Sequence, residues 1–440
     1  MSDDTNYIQN NVDIGKCFVT RDYFNRVYTS VNTSYRRNAL WTWGYLDNEI
    51  SPTTIATIIN DPFMVQPQNT YNFYPSGWKD FHISSSCINE LNIRLLDQQG
   101  KMYIWGGLSG LGTAYVGASG VTGAYRPSAM CTTAIIETCA TLNCIKRLGR
   151  DHSDCHLSYS TVSETFLWGC AAGYLLGTNC SLSVGSVSQL YQWPPTDVYA
   201  GFTGQVPYIS IQNQVCSGIY PSHAEAGSLY FWGTNSVSGN RSFPVTTTGL
   251  CLKCVCSNGA TVGGLVPDTN VLKIMGYNNK GQLGVSTTIN CIGYSSVNCF
   301  SNTNPSLTVK SYSIGRCSSF AVASNGTLWA WGDNSAGQLG NNKTINTSCP
   351  VQSIDTNNDW KYVTTNRMGT AVAALKNDGS LWVWGDVCYV QQAGVGECIR
   401  RSSPVQVGTK KNWVKIAIET NRTDTQTSTV FMLGITEEDL

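Results

Sequence analysis

Short apolar runs that close on a glycine recur along the whole chain. They are Leu40-Trp41-Thr42-Trp43-Gly44, Tyr103-Ile104-Trp105-Gly106, Phe166-Leu167-Trp168-Gly169, Tyr230-Phe231-Trp232-Gly233, Leu272-Lys273-Ile274-Met275-Gly276, Leu328-Trp329-Ala330-Trp331-Gly332 and Leu381-Trp382-Val383-Trp384-Gly385. Successive glycines lie 62, 63, 64, 43, 56 and 53 residues apart, and another 55 residues follow Gly385. Self-similarity at such periods marks a repeat architecture.

The last two units show the internal pattern best. Gly332 leads into Asp333-Asn334-Ser335-Ala336-Gly337-Gln338-Leu339-Gly340, a glycine-rich turn. Cys349-Pro350-Val351-Gln352 then reads as an edge strand, where proline is tolerated. Trp360-Lys361-Tyr362-Val363 is a third strand and Thr370-Ala371-Val372-Ala373-Ala374-Leu375 a fourth, joined through Asn377-Asp378-Gly379 to the next Trp-Gly strand. Four strands per unit in seven units predict an all-β fold, a seven-bladed β-propeller over 39–440, with units starting near 40, 102, 165, 229, 272, 328 and 381. Thr429-Val430-Phe431-Met432-Leu433 aligns with Ala371–Leu375, so the last strand is expected beside the first. Both tryptophans of Trp-x-Trp face one side of a strand and suit the space between blades, while the glycine supplies a bend or a close backbone approach. The expected blade-core positions are therefore Trp43, Gly44, Trp105, Gly106, Trp168, Gly169, Trp232, Gly233, Met275, Gly276, Trp331, Gly332, Trp384 and Gly385.

Residues 1–38 precede the repeats as an attachment segment. Within it Thr20–Tyr28 carries a capping residue and apolar positions Tyr23, Phe24, Val27 and Tyr28, which predicts a small amphipathic helix. That helix either packs under the propeller or docks on another subunit. The start of the chain is polar and acidic, unlike a secretory signal, and no apolar stretch nears the ~20 residues of a membrane span. Lys+Arg and Asp+Glu each number 28, and charged residues make up only 13% of the chain, so no basic field draws nucleic acid or anionic lipid.

Eighteen cysteines bear on compartment. They are either small apolar core residues or mark a protein made in a cytoplasm that works outside it. Cys170 and Cys180, Cys291 and Cys299, and Cys388 and Cys398 form pairs in the loops after three of the glycines; they suit hairpin disulfides or unpaired thiols on neighbouring strands. Cys317 reads as a buried free thiol. Cys251, Cys254 and Cys256 offer three thiolates where a structural zinc site uses four ligands, so no metal is expected. Asp151-His152-Ser153-Asp154-Cys155-His156 is the one cluster of histidines with a nucleophile, and it reads as a solvated loop. Each glycine-rich run follows a strand and precedes another, so phosphate-cradling loops before a helix are not expected. The residues predict no catalytic site and no cofactor.

The repeats resemble those of the regulator-of-chromosome-condensation family, most closely at Gly326-Thr327-Leu328-Trp329-Ala330-Trp331-Gly332-Asp333-Asn334-Ser335-Ala336-Gly337-Gln338-Leu339-Gly340. That resemblance implies a propeller. The family's guanine-nucleotide-exchange activity finds no matching residues here. The opening Asn6-Tyr7-Ile8-Gln9-Asn10-Asn11-Val12-Asp13-Ile14-Gly15, leading into Val19-Thr20-Arg21-Asp22-Tyr23, is similar to structural proteins of marine tailed bacteriophages. It implies a non-enzymatic virion protein assembled in the host cytoplasm, in the tail or baseplate, or else decorating the capsid; the alternative left by the repeats is a cellular regulatory propeller of the guanine-nucleotide-exchange type. The virion protein's partners would be other virion subunits and a host surface receptor, with neither nucleic acid nor membrane insertion.

Overall fold

The computed structural model describes residues 261–297, 308–387, 400–422 and 428–438, and before them Gly100 and strand residues lying between 18 and 257. Every regular element among them is a β-strand. Five sheets have four strands, one has eight and one has two.

The repeat appears first in the register. Gly44 lies opposite Phe431, Gly106 opposite Asn92, Gly169 opposite His156, Gly233 opposite Val215, Gly276 opposite Thr261, Gly332 opposite Ser318 and Gly385 opposite Ala371. In each case the Trp or Met before the glycine faces the next residue of that neighbouring strand. All seven signature strands thus take the same place in their sheets.

The glycine is required by close approach. Gly332 and Gly385 adopt φ of +105° and +87°, and a Cβ there would collide with Cys317 O and Thr370 O. Those two carbonyls accept from Asp333 N at 2.9 Å and Asp386 N at 2.8 Å, which turns the chain out of the sheet.

Sheets and sequence units are offset by half a repeat. Strands Val309–Ile314, Ser318–Ala323, Leu328–Gly332 and Thr347–Gln352 make one sheet in that order; Trp360–Thr365, Ala371–Lys376, Leu381–Gly385 and Arg401–Gln406 make the next. A unit that begins on Trp-Gly therefore gives two strands to one sheet and two to its successor. Ring closure follows. Trp413–Arg422 and Ser428–Glu438 join Arg37–Leu46 and Thr57–Met64, with Arg37 opposite Glu438 and Gly44 opposite Phe431. In the eight-stranded sheet, the long strand Arg241–Ser257 pairs through Arg241–Leu252 with Ala226–Gly233 and through its remaining residues with Thr261–Leu265.

Apolar clusters lie between successive sheets. Trp329 and Trp331 share one with Leu265, Ile274, Tyr312 and Ile314, and Trp384 shares the next with Phe320, Val322, Leu339, Trp360 and Val363. Two more join Ala373 and Val383 to Ile416 and Met432, and Leu40 and Leu433 to Phe81 and Ile93. Four buried tryptophans, Trp331, Trp360, Trp384 and Trp413, carry the largest side chains. Burying each one fully contributes on the order of 3 kcal/mol.

The helix expected over 20–28 is not found where the backbone is described. Tyr28 begins the strand Tyr28–Thr29 and pairs with Val19 of Phe18–Val19. Val, Tyr and Thr at the paired positions suit a strand better than a helix. Tyr23, Phe24 and Val27 lie outside the described residues.

Candidate functional site

The signature glycines stand at the same end of the disc, here called the glycine end; six of them end their strands, and Gly44 lies two residues inside Arg37–Leu46. The long connections to the fourth strands emerge there, and the two described ones, 277–290 and 333–346, are built alike. An asparagine sits at the hub of each. Asn278 Oδ1 accepts from Leu283 N at 2.9 Å, and its Nδ2 donates to Thr287 O and Ile289 O at 2.8 and 3.0 Å. Asn334 Oδ1 accepts from Leu339 N at 2.9 Å, and its Nδ2 donates to Lys343 O and Ile345 O at 2.9 and 3.2 Å. A second asparagine closes each loop: Asn290 and Asn346 accept from the backbone N of Asn278 and Asn334, both at 2.8 Å. The loops hold their shape through their own polar side chains, each fully buried at its hub.

Each loop also grips the following sheet. Trp331 Nε1 donates to Gln282 O and Trp384 Nε1 to Gln338 O, both at 2.8 Å. Within the loops the glutamine side chains accept from the backbone, Gln282 from Lys280 N and Gln338 from Ala336 N, again at 2.8 Å, and Gln282 Nε2 also reaches out to donate to Arg316 O at 3.2 Å. Gly284 and Gly340, at φ of +67° and +66°, let the loop backbone lie against the rings of those tryptophans. What the grip leaves outward is one isoleucine per loop, Ile289 and Ile345, each 72% exposed.

Nearer the axis, the turns after the first strands are stitched sheet to sheet. Arg316 N donates to Arg367 O at 2.9 Å and Cys317 N to Met368 O at 3.1 Å, and Ser318 Oγ donates to Gly369 O. Cys317 is a free thiol, half-buried rather than buried, because this turn sits at the open end of the sheet. Partial burial and then the charge of Asp333 push its pKa up, against smaller opposing effects of Arg316 and Lys280.

The ionisable groups of this end are sorted by depth. Asp333 is held by Gln338 Nε2 at 2.9 Å and Ser335 Oγ at 2.7 Å, and Glu419 is buried while accepting from Thr420 N at 3.0 Å. Lys280, Arg316, Lys343 and Arg400 are exposed. Lys280 approaches Asp333 at 3.8 Å and Arg400 approaches Asp386 at 3.5 Å; the lysine and arginine side chains are 45% and 61% exposed, the carboxylates 11% and 14%.

The opposite end carries mixed charge. Lys376 is buried there, 2.7 Å from Asp355 and 3.2 Å from Asp359, over the rings of Trp360 and Trp382. Burial pulls its pKa down, but the hydrogen bonds and charge of the two aspartates outweigh that and leave it above the ordinary lysine value. Asp378 and Lys411 pair nearby at 3.0 Å, and Asp268, Lys310 and Lys361 are exposed.

The structure scatters the sequence-derived chemistry. Cys291 is a free thiol on the first residue of Cys291–Ser296, its Sγ 3.8 Å from Ile289 O. Cys170, Cys180, Cys299, Cys388 and Cys398 lie outside the described residues. Cys256 packs in the apolar cluster of Trp331, so it works as a small core residue. His156 opens a strand opposite Gly169, and Asp151 pairs with Ile211. No group of three His, Cys, Asp or Glu placed to hold a metal occurs among the described residues. No helix among them is long and apolar enough to cross a membrane. The reading by composition missed the Asn278–Gln282 loop, although Asn278-Asn279-Lys280-Gly281-Gln282-Leu283-Gly284 repeats the Asn-x-x-Gly-Gln-Leu-Gly pattern of 334–340.

Residues 325–372 match the model of the regulator of chromosome condensation (RCC1) repeat, and 309–338 match a second model of the same description. The chain is 32% identical over 89 residues to the Arabidopsis thaliana "RCC1 domain-containing protein RUG3, mitochondrial", covering 20% of each protein. It is 30% identical over 135 residues to the Mus musculus "X-linked retinitis pigmentosa GTPase regulator", covering 28% of this chain and 13% of that one. The chain thus spans a fifth or less of these curated relatives. Among solved structures it is similar to human WBSCR16, with a TM-score of 0.68 at 14% identity over 92% of this chain and 100% of that one. Prp20p from Saccharomyces cerevisiae gives 0.66 at 14% identity over 97% and 95%. These similarities and the four-stranded sheets make the fold an RCC1-type repeat propeller.

Proposed function

We propose that this chain is a non-enzymatic, protein-binding propeller of the regulatory kind. Its disc has seven blades, with Arg241–Ser257 counted once in each of two; the shared register of the seven signature glycines supports that count. The observation that carries the binding reading is the construction of the glycine end. Its loops are fixed internally by Asn278 and Asn334 and externally by Trp331 and Trp384, and they present exposed side chains rather than a converging set of acid, base and nucleophile. Rigid loops on one end of a scaffold suit recognition, since little ordering entropy is lost on binding. Similarity to a GTPase regulator makes a small GTPase the first partner class to try.

The test is reconstitution of the purified full chain with a panel of small GTPases, read by light scattering and by release of a fluorescent guanine nucleotide. A stoichiometric complex with faster release supports an exchange-type regulator. A stoichiometric complex with unchanged release supports a binding propeller without exchange. A chain that binds none of them and instead hydrolyses small-molecule esters or glycosides overturns the reading.

A second reading is a virion structural protein of a tailed phage, in tail, baseplate or capsid surface, reaching other virion subunits through residues 1–38 and a host receptor through its disc. The opening segment 6–23 and the low charge content favour it, whereas the similarities to cellular regulators favour the first. Immunogold labelling of purified particles decides: label on the particle, lost when 1–38 are deleted, supports the virion reading, and unlabelled particles reject it.

A further inference from the structure

We propose that the glycine end is the docking surface for an acidic segment of a protein partner. The proposal rests on the protein-binding reading above and adds the end of the disc and the chemistry of what it holds. In the chain as a whole Lys+Arg and Asp+Glu are equal at 28 each, so a patch of one sign arises only where the fold sorts charge. It does so here. Among the described residues of 261–422, the exposed charges of the glycine end are Lys280, Arg316, Lys343 and Arg400, all cationic. They come from four connections: the two clamped loops, the turn after Val309–Ile314 and the residue leading into Arg401–Gln406. The carboxylates of the same end are withdrawn: Asp333 is fixed by Gln338 and Ser335, and Glu419 is 1% exposed. At the other end Asp268 and Asp378 are exposed beside Lys310, Lys361 and Lys411, so no single sign prevails.

A cation over a sunken carboxylate keeps its free donors turned outward. Lys280 and Arg400, at 3.8 and 3.5 Å from their aspartates, can each take a second carboxylate from outside. Ile289 and Ile345, on the same loops as Lys280 and Lys343, are 72% exposed, which fits a segment carrying apolar residues among its acidic ones. Nucleic acid fits less well. Four cations on four separate connections of three sheets do not make a continuous track for a phosphate backbone, which needs more and closer contacts.

The test uses the full chain and a fluorescein-labelled peptide of repeated Glu-Glu-Leu, followed by anisotropy across a salt series. Binding should weaken with salt and fall at least about tenfold in the double variant Arg316→Glu/Lys280→Glu. Lys310→Glu, at the opposite end, should leave it unchanged. Variants are compared only after their thermal transitions match that of the parent. Full affinity in the double variant, equal loss in Lys310→Glu, or tighter binding of a single-stranded oligonucleotide than of the peptide would each overturn the proposal. If the double variant keeps peptide affinity and the chain still forms a stoichiometric complex with a protein partner, the docking end is wrong while the protein-binding reading stands. Loss of both complexes in the parent chain rejects the two together.

Discussion

Two kinds of seam hold the disc closed, and they use different materials. At the seams around Trp331 and Trp384, a loop from one sheet grips a tryptophan of the next, through Gln282 O and Gln338 O at 2.8 Å. At the closing seam the bond from Trp41 Nε1 goes to Thr436 Oγ1 within the same sheet, at 2.7 Å and 395 positions away in sequence. Trp41 and Trp413 meet edge to face there, with centroids 6.3 Å apart. The gripped seams form between neighbours in sequence, so they close loops of some 50 residues. The closing seam must bring the two ends of the chain together, at a larger loop entropy. The lesson is that a closed repeat owes its edges to two separate solutions, one local and copied, one long-range and made once.

The largest break in this contrast comes from removing residues 428–440. The first signature strand then keeps Thr57–Met64 but loses its partner on the other side, leaving an open edge, and the chain should elute as aggregate on size exclusion with no cooperative unfolding transition. Next, Trp384→Ala in the gripped seam should cost about 3–5 kcal/mol in chemical denaturation while leaving the monomer soluble, because its cavity is bounded by sheets that remain paired. Equal aggregation in both variants would erase the distinction between the seams. Gly340→Ala should cost about 1–3 kcal/mol, since a β-carbon at φ +66° meets the Trp384 indole; a neutral result would show that the loop is not pressed on the ring.

The smallest effect is electrostatic and tests the end away from the loops. Ser380, through hydroxyl and backbone donors, holds the Asp378 carboxyl down at about 2, with Lys411 assisting. A depressed carboxyl adds stability above its ordinary value of 3.8, and that stability drains away as pH falls through about 2. Asp378 is largely solvent-facing, so screening keeps the effect to a fraction of a kcal/mol. Asp378→Asn should therefore melt slightly lower than the parent near pH 6, and the gap should close near pH 2. A gap that persists in acid would assign the loss to hydrogen-bond geometry instead of charge.

Much of this molecule is written at short range. Gly332 and Gly385 mark strand ends because a backbone carbonyl, Cys317 O or Thr370 O, approaches where a side chain would stand, and glycine is the residue that permits it. The partner strands of 347–385 followed from proline, Asp-Gly and apolar runs, and closure followed from the likeness of 429–433 to 371–375. What could not be read is set by distance and depth. The bond of Trp384 to Gln338 O spans 46 positions and involves a main-chain acceptor that any residue would supply. Arg316 and Glu419 look alike as charges in a sequence, yet one is exposed and the other buried, a difference fixed by the stitching of adjacent turns. Of the helix predicted over 20–28 only Tyr28 is described, and it pairs in a strand with Val19.

Pairing of Arg37 with Glu438 has a practical outcome for anyone handling the protein. Both positions lie at the end of the disc away from Lys280 and Arg316, side by side across one ladder. A tether or fluorescent fusion joined directly at either position leaves from the back of the disc, away from the loop-bearing front. The same adjacency makes residues 37–438 a good subject for circular permutation: a short linker joining 438 to 37, with new ends cut in the exposed stretch 342–346, reroutes the chain and leaves every strand pair within 37–438 intact.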